Sequence, residues 1–391
     1  MKGRPVTTPV LFILDKFAGP TAGTEAQFWL LVSGLDRAVF DVRVATLVHS
    51  PFLEEHLPRG AYTCLEIPRI ARASAWRRAF AFARAQRRAG VRVAHLFLND
   101  ASVLFPLPLW SAGIRVLVSR RDLGFWYTPG ILRALRLNRF FVARVLANCQ
   151  AVADVVAARE GFPSSRVQVI PNGVAAPAQP LSAGSWRARL GLGAGHVVFV
   201  MIANLRRLKR VDDAVRALAV VHRDCPDALL VVAGEDRVEG GRSVRGDLEA
   251  LASTLGVNDA LHFVGRVSEP WSLLGESDVL VSCSETEGLS NTIIEGMMSG
   301  LPVIATAVGG SPELVADRQT GRLVGVGDVD ALANAMRELA LDREARMRMA
   351  HAARHSARAR FAVDAMVQAY SRLYTGAPLM AADATPLERT T

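Results

Sequence analysis

Short apolar runs alternate with longer stretches of helical spacing along most of this chain. Val10–Leu14, Asp41–Leu47, Val93–Phe97 and Ile114–Ser119 have strand length, and Glu25–Ser33, Trp76–Arg88 and Ile131–Val142 read as helices among them. Apolar strands separated by helices predict a parallel, doubly wound sheet. Val145–Ala147 and Val167–Ile170 extend it by two strands. The alternation stops at Ala175–Gly195, which is rich in Ala, Pro, Gly and Ser with a short helical piece at Trp186–Leu190, and reads as a linker. It restarts with strands His196–Ile202, Ala228–Ala233, Leu261–Phe263, Val279–Ser282 and Val303–Thr306 and with helices Val211–Arg223, Leu248–Leu255 and Thr292–Ser299. Ala331–Tyr374 is helical and charged.

The pattern predicts an α/β chain of two Rossmann-like domains. Residues 1–175 form the first, 176–195 the linker and 196–360 the second. A helix over 361–376 crosses back toward the first domain, and 377–391 is a flexible tail. Ligands of such sheets sit beyond the carboxyl ends of the strands, which places the expected site in an interdomain cleft.

Length agrees with this division, because a single core stops growing at roughly 250–300 residues and the chain has 391. No apolar run reaches the ~18 residues that a membrane span requires. The first run stops at Asp15 and suits a buried strand better than a signal peptide. Cys64, Cys149, Cys225 and Cys283 lack metal-ligand spacing and read as buried thiols, pointing to the cytoplasm.

Charge changes the picture more. Residues 1–175 hold 23 basic and 11 acidic side chains, so that half carries +12; the remainder carries −3 within a total of +9. A basic first half suits an acidic partner: an anionic membrane surface, a nucleic acid or an anionic acceptor. No nucleic-acid module accompanies it, so nucleic acid is not expected. Of 46 basic residues only Lys2, Lys16 and Lys209 are lysines, which makes each of the three informative. The Arg-rich stretch Arg69–Arg92, with Trp76, Phe80 and Phe82, could lie on a membrane, but its aromatic and basic faces overlap and favour a helix packed on the sheet.

The densest chemistry lies between Ser282 and Leu314. A strand ends at Ser282, Glu287-Gly288-Leu289-Ser290 forms a loop, and a helix starts near Asn291. Backbone N–H groups at a helix N-terminus opened by Gly suit a diphosphate. Glu287 and Glu295 can accept hydrogen bonds from sugar and ribose hydroxyls. Gly309-Gly310 forms a second glycine loop. As an alternative, Thr292-x-x-Glu295 is also a capping box, in which Glu295 would only finish its helix. Further back, Ala203–Arg210 (ANLRRLKR) brings several cations to the end of a strand, suited to a pyrophosphate.

Glu287, seven residues, Glu295, then Gly300-Leu-Pro-Val-Ile-Ala-Thr and Gly309-Gly310-x-x-Glu313, resembles the donor motif of the retaining GT-B glycosyltransferases of family 4. The resemblance runs through nearly the whole chain. It implies a GT-B architecture and transfer of a sugar, with retention at the anomeric carbon, from a nucleotide diphosphate sugar. The donor is expected to be UDP-linked and the sugar a hexosyl or N-acetylhexosaminyl group. The acceptor is expected to be a glycan or lipid-linked molecule in envelope or exopolysaccharide synthesis, handled on the inner face of the membrane. No cofactor and no required metal are expected.

The resemblance assigns catalysis to Glu287, Arg206 and Lys209. Donor binding falls to Glu295, to Gly288, Leu289, Ser290 and Asn291, to the backbone at Arg266, and to Gly23 in Ala22-Gly23-Thr24-Glu25, where relatives carry a Gly-Gly-x-Glu loop. It also implies that Asn172-Gly173-Val174 closes the first domain.

The chain departs from the family after its fourth strand. Relatives often have Thr-x-His there, whereas Arg121 stands in the His position and Asp122 follows it. Arg cannot serve as a general base at neutral pH. Arg121, Asp122 and the strand-end His95 are therefore the acceptor-side candidates. A non-catalytic nucleotide-sugar binding protein and a nucleotide-sugar epimerase of the same architecture are the alternatives. An oxidoreductase is disfavoured, since Gly191-x-Gly193-x-Gly195 precedes a strand and does not follow one.

Overall fold

The computed structural model describes residues 7–20, 23–177 and 185–377. Ala22 of the first glycine loop, residues 178–184 of the expected linker and the tail from 378 lie outside the described residues. The chain divides into two compact units, at Gly173/Val174 and at Phe361/Ala362.

The first unit carries a seven-stranded sheet: β1 (Thr8–Leu14), β2 (Phe40–Thr46), β3 (Tyr62–Cys64), β4 (Val93–Leu96), β5 (Arg115–Arg120), β6 (Arg144–Ala147) and β7 (Val167–Val169). Its order is β3-β2-β1-β4-β5-β6-β7, with parallel pairing throughout. The inner strands read as apolar runs because helices cover both faces; Val10 to Leu14 are all buried. β3 is absent from the sequence reading because three residues of mixed polarity give no periodicity. The Ile131–Val142 stretch overran: its helix is Pro129–Asn138, started by Thr128, whose hydroxyl accepts from Ile131 N–H, and by Pro129 in the first turn.

The helix Val363–Thr375 belongs to the first unit. It buries Met366, Val367, Ala369, Tyr370, Leu373 and Tyr374 against a core that includes Phe12, Phe28 and Phe97. The helix Ala73–Arg88 buries Ala75, Ala79 and Ala83, and Phe82 meets Phe105 edge-on. The basic stretch singled out in the sequence is thus packed on protein through its small residues.

The second unit carries β8 (Val197–Ile202), β9 (Ala228–Ala233), a hairpin of β10 (Val238–Glu239) and β11 (Arg242–Ser243), then β12 (Leu261–Gly265), β13 (Val279–Ser282), β14 (Val303–Thr306) and β15 (Gly321–Val324). The sheet order is β12-β9-β8-β13-β14-β15, all parallel. Ser185–Arg189, expected in the linker, is a helical turn fixed to this unit: Trp186 and Arg187 N–H donate to Glu276 (2.9 and 2.8 Å), and Arg187 pairs with Asp278 (2.6 Å). Cys149 and Cys283 are buried as expected, whereas Cys64 and Cys225 are half-buried. Among the described residues no helix is long and apolar enough to cross a membrane.

Candidate functional site

Three loops at the carboxyl ends of β8, β13 and β14 build one site in the second unit. The loop after β8 runs through Ala203–Arg206 into a tight turn, Arg207–Lys209. It continues the sheet past its end: Ala203 N–H donates to Ala233 (2.8 Å), Leu205 N–H to Glu235 (2.8 Å), and Leu205 bridges Asp236. Gly234 is required there, because a Cβ would stand 1.9 Å from the Ala203 carbonyl oxygen.

The loop after β13 is tied to that turn through Glu285 N–H and the Leu208 carbonyl (2.9 Å). It is also held to the loop after β14: Thr306 Oγ1 donates to the Ser284 carbonyl (2.7 Å), and Gly310 N–H to the Gly288 carbonyl (2.8 Å). Gly288 and Gly310 therefore come together, as does the turn bearing Lys209.

Lys209 Nζ is ion-paired with Glu287 Oε1, and Ser284 Oγ donates to the same oxygen (2.8 Å). Two residues 78 positions apart thus meet directly. Ser284 is a partner the sequence reading missed; a hydroxyl three residues before a glutamate in a loop was its only signal.

Ser290 caps the Asn291–Ser299 helix, its hydroxyl accepting from Ile293 N–H (3.4 Å), and Gly300 closes it in the left-handed region at φ 86°. Leu289 is buried beneath the loop. This cap removes the capping-box alternative. With Ser290 as N-cap the reciprocal position falls on Ile293, and Glu295 lies two residues beyond it. Among the described residues no hydrogen bond engages the Glu295 carboxyl, and burial pushes it up to about 7.

The cations of the Arg206–Arg210 segment all have acids. Arg206 Nε donates to Glu239 Oε1 (3.3 Å) and Arg207 pairs with Asp247 (2.7 Å). Arg210 forks onto Asp213 (2.5 and 2.9 Å) and reaches Glu285 (2.9 Å). Asp213 is buried, so Arg210 is locked in place and is the structural member of the group. Arg266 is exposed and pairs with Glu235 (3.1 Å).

The acceptor-side candidates lie in the first unit and are engaged in its packing. His95 is fully buried, with Nδ1 2.8 Å from Tyr374 Oη and Nε2 2.8 Å from Ser119 Oγ. Burial, with Arg121 nearby, keeps its ring neutral. Arg121 donates to Asn172 Oδ1 (2.5 Å) and Tyr370 Oη (3.3 Å) and lies over the Phe97 ring. Asp122 accepts from Gly124 N–H (2.7 Å) and Trp126 Nε1 (3.1 Å), shaping the turn after β5. His95 and Arg121 thus fasten the Val363–Thr375 helix. Their distant partners, at positions 370 and 374, left no local signal in the sequence. Gly23 opens the helix Gly23–Gly34 in the same unit.

Known proteins show the same two-part pattern. Residues 21–176 match the model described as Glycosyltransferase Family 4, and 183–356 the model described as Glycosyl transferases group 1. The chain is 32% identical over 184 residues to N-acetyl-alpha-D-glucosaminyl L-malate synthase of Bacillus anthracis, covering 47% of this chain and 46% of that protein. It is 33% identical over 249 residues to D-inositol 3-phosphate glycosyltransferase of Streptomyces avermitilis, covering 60% and 52%. It thus spans about half the length of these curated relatives. Anabaena HepE, solved in complex with UDP, superposes with a TM-score of 0.79 at 21% identity, over 94% of this chain and all of that one.

Two parallel Rossmann-like sheets with this order make up the GT-B fold. The chain belongs to glycosyltransferase family 4.

Proposed function

We propose that the chain moves a hexosyl or N-acetylhexosaminyl group, with retention, from a UDP-linked sugar to a glycan or lipid-linked acceptor of the cell envelope or an exopolysaccharide. The observation that carries this is the meeting of Lys209 and Glu287 next to the Gly288–Ser290 loop, which opens the helix bearing Glu295, a glutamate with no hydrogen-bond partner among the described residues. UDP as donor is supported by the ligand of Anabaena HepE, and an N-acetylated sugar by the name of the Bacillus anthracis relative.

The chemistry follows from charge. As the glycosidic bond to the diphosphate breaks, negative charge grows on the leaving oxygen. Lys209 and Arg206, with the N–H groups of the Asn291–Ser299 helix start, meet that charge without a metal ion in this reading. Glu287, released from Lys209 by the phosphate, accepts from a sugar hydroxyl and holds the reacting carbon in place. Glu295 accepts from the ribose hydroxyls.

Attachment to an anionic membrane face is part of the proposal. Trp110, Leu137 and Phe140 are each more than half exposed, and Trp110 adjoins Phe141. Residues 129–144 carry Arg133, Arg136, Arg139 and Arg144 and no acid, which suits exposed aromatic groups at a charged interface.

The test is a thermal-shift screen of nucleotide sugars, followed by transfer assays on the hits. Lys209→Ala should cut turnover by about 10²-fold or more. Stabilisation by NAD with none by sugar nucleotides, or near-normal turnover in Lys209→Ala, would overturn the reading.

A further inference from the structure

Beyond the residues that would touch the sugar, an acid stands on an exposed hairpin against the cation loop. β10 and β11 are two residues each, joined through Gly240 and Gly241, both at positive φ (63° and 78°). That is the backbone of a tight hairpin turn, which only glycines enter at no steric cost. The hairpin rises from a fixed base: Ser243 Oγ and Arg245 N–H both donate to Asp236 (2.7 and 2.9 Å), the residue that bridges Leu205.

Glu239 reaches from this hairpin to two donors of the Arg206–Lys209 turn. Its Oε1 accepts from Arg206 Nε (3.3 Å) and its Oε2 from the Arg207 backbone N–H (3.1 Å). A guanidinium and a backbone N–H at the head of a tight turn are the donors a phosphate oxygen uses. These donors, the Arg207 backbone N–H foremost and the Arg206 guanidinium after it, hold the Glu239 carboxyl below its usual range.

We propose that Glu239 is an internal stand-in for a donor phosphate, seated on Arg206 and the Arg207 N–H until the nucleoside diphosphate displaces it. The inference rests on the donor-site reading above. Its physical basis is a contrast among the acids around the turn. Asp213 is buried within a helix and cannot leave Arg210. Asp247 is shared by Arg207 and Arg242 (both 2.7 Å) and sits in the first turn of the Val244–Leu255 helix. Glu239 alone of these three sits on a hairpin of two-residue strands, beside a Val238 that is 71% exposed. Little packing opposes its departure, and the cost of displacing it falls on donor affinity. The device keeps Arg206 oriented and its charge screened while the site is empty.

The experiment measures binding of UDP and inorganic pyrophosphate by calorimetry for the wild type, Glu239→Gln, Arg206→Ala and the double variant, and of GDP and ADP for the wild type. Removing the competing charge should tighten both ligands by about three- to fivefold, the scale of an exposed ion pair. The gain should shrink in the Arg206→Ala background, where Glu239 keeps only its contact with the Arg207 N–H. If Glu239 only braces the loop, Glu239→Gln binds UDP equally or more weakly, and the stand-in role is overturned while the donor site remains. If the wild type binds none of UDP, GDP and ADP, the donor-site reading falls first and Glu239 with it.

Discussion

At the scale of single residues, Glu295 decides most about the donor site. Its carboxyl is pushed up to about 7 by burial and has no hydrogen-bond partner among the described residues. Ribose hydroxyls donate best to the charged form, so nucleotide affinity should rise as pH increases through about 7. Glu295→Gln should bind more weakly and lose that pH dependence; calorimetry from pH 6 to 8 reads both. Stability moves the other way. The folded state holds the proton where the unfolded chain has released it, so stability falls as pH rises from the usual glutamate range toward 7. Glu295→Gln should flatten that slope in urea titrations. The resemblance to the family motif singled out both glutamates, and the rarity of lysine in this chain added weight to Lys209. What spacing left open was whether Glu295 caps its helix. The cap depends on where the helix starts, and the Ser290 hydroxyl fixed that.

Among elements, the Val363–Thr375 helix engages two of the acceptor-side candidates in packing. Tyr374 meets His95, Tyr370 meets Arg121, and Arg115 donates to the Leu373 carbonyl. The core around Phe12 and Phe97 closes over the same face. Arg121→Ala should therefore destabilise the first unit by about 2 kcal/mol, the scale of hydrogen bonds from a charged group, read by chemical denaturation. Retention of UDP affinity by this variant is the second expected outcome, since the Arg121 partners Asn172, Tyr370 and Phe97 all belong to the first unit. A full loss of UDP binding in a folded Arg121→Ala protein would contradict the assignment. A second element has a comparable logic. Arg120 and Glu160 form a buried, two-pronged ion pair (2.7 and 3.0 Å), with Tyr127 Oη donating to the same carboxylate. That network holds the turn after β5, in which Asp122 lies. The departure from the family at Arg121–Asp122 thus coincides with a structural network, which no local pattern announces.

For the molecule as a whole, charge is the property to test. The first 175 residues carry +12, and the aromatic and aliphatic side chains Trp110, Leu137 and Phe140 are exposed beside arginines. Binding to vesicles containing anionic lipid should be strong at low ionic strength and fall steeply as salt approaches 0.5 M, where charge is screened within ~4–5 Å. Phe140→Ser with Leu137→Ser should weaken it further at fixed charge. Equal binding to neutral and anionic vesicles would point to an acceptor that is not held at a charged surface.

By itself the sequence determined the class of fold, because apolar runs separated by amphipathic helices have few solutions other than parallel sheets. It also carried the family motif from Glu287 to Glu313, whose members lie within one loop–helix–strand–loop segment and so keep a fixed spacing. Tertiary structure alone decided which charges meet. Lys209 and Glu287, Arg206 and Glu239, and His95 and Tyr374 are separated by 78, 33 and 279 positions. Pairs at that distance are set by strand order and loop closure. Neither leaves a trace in local periodicity.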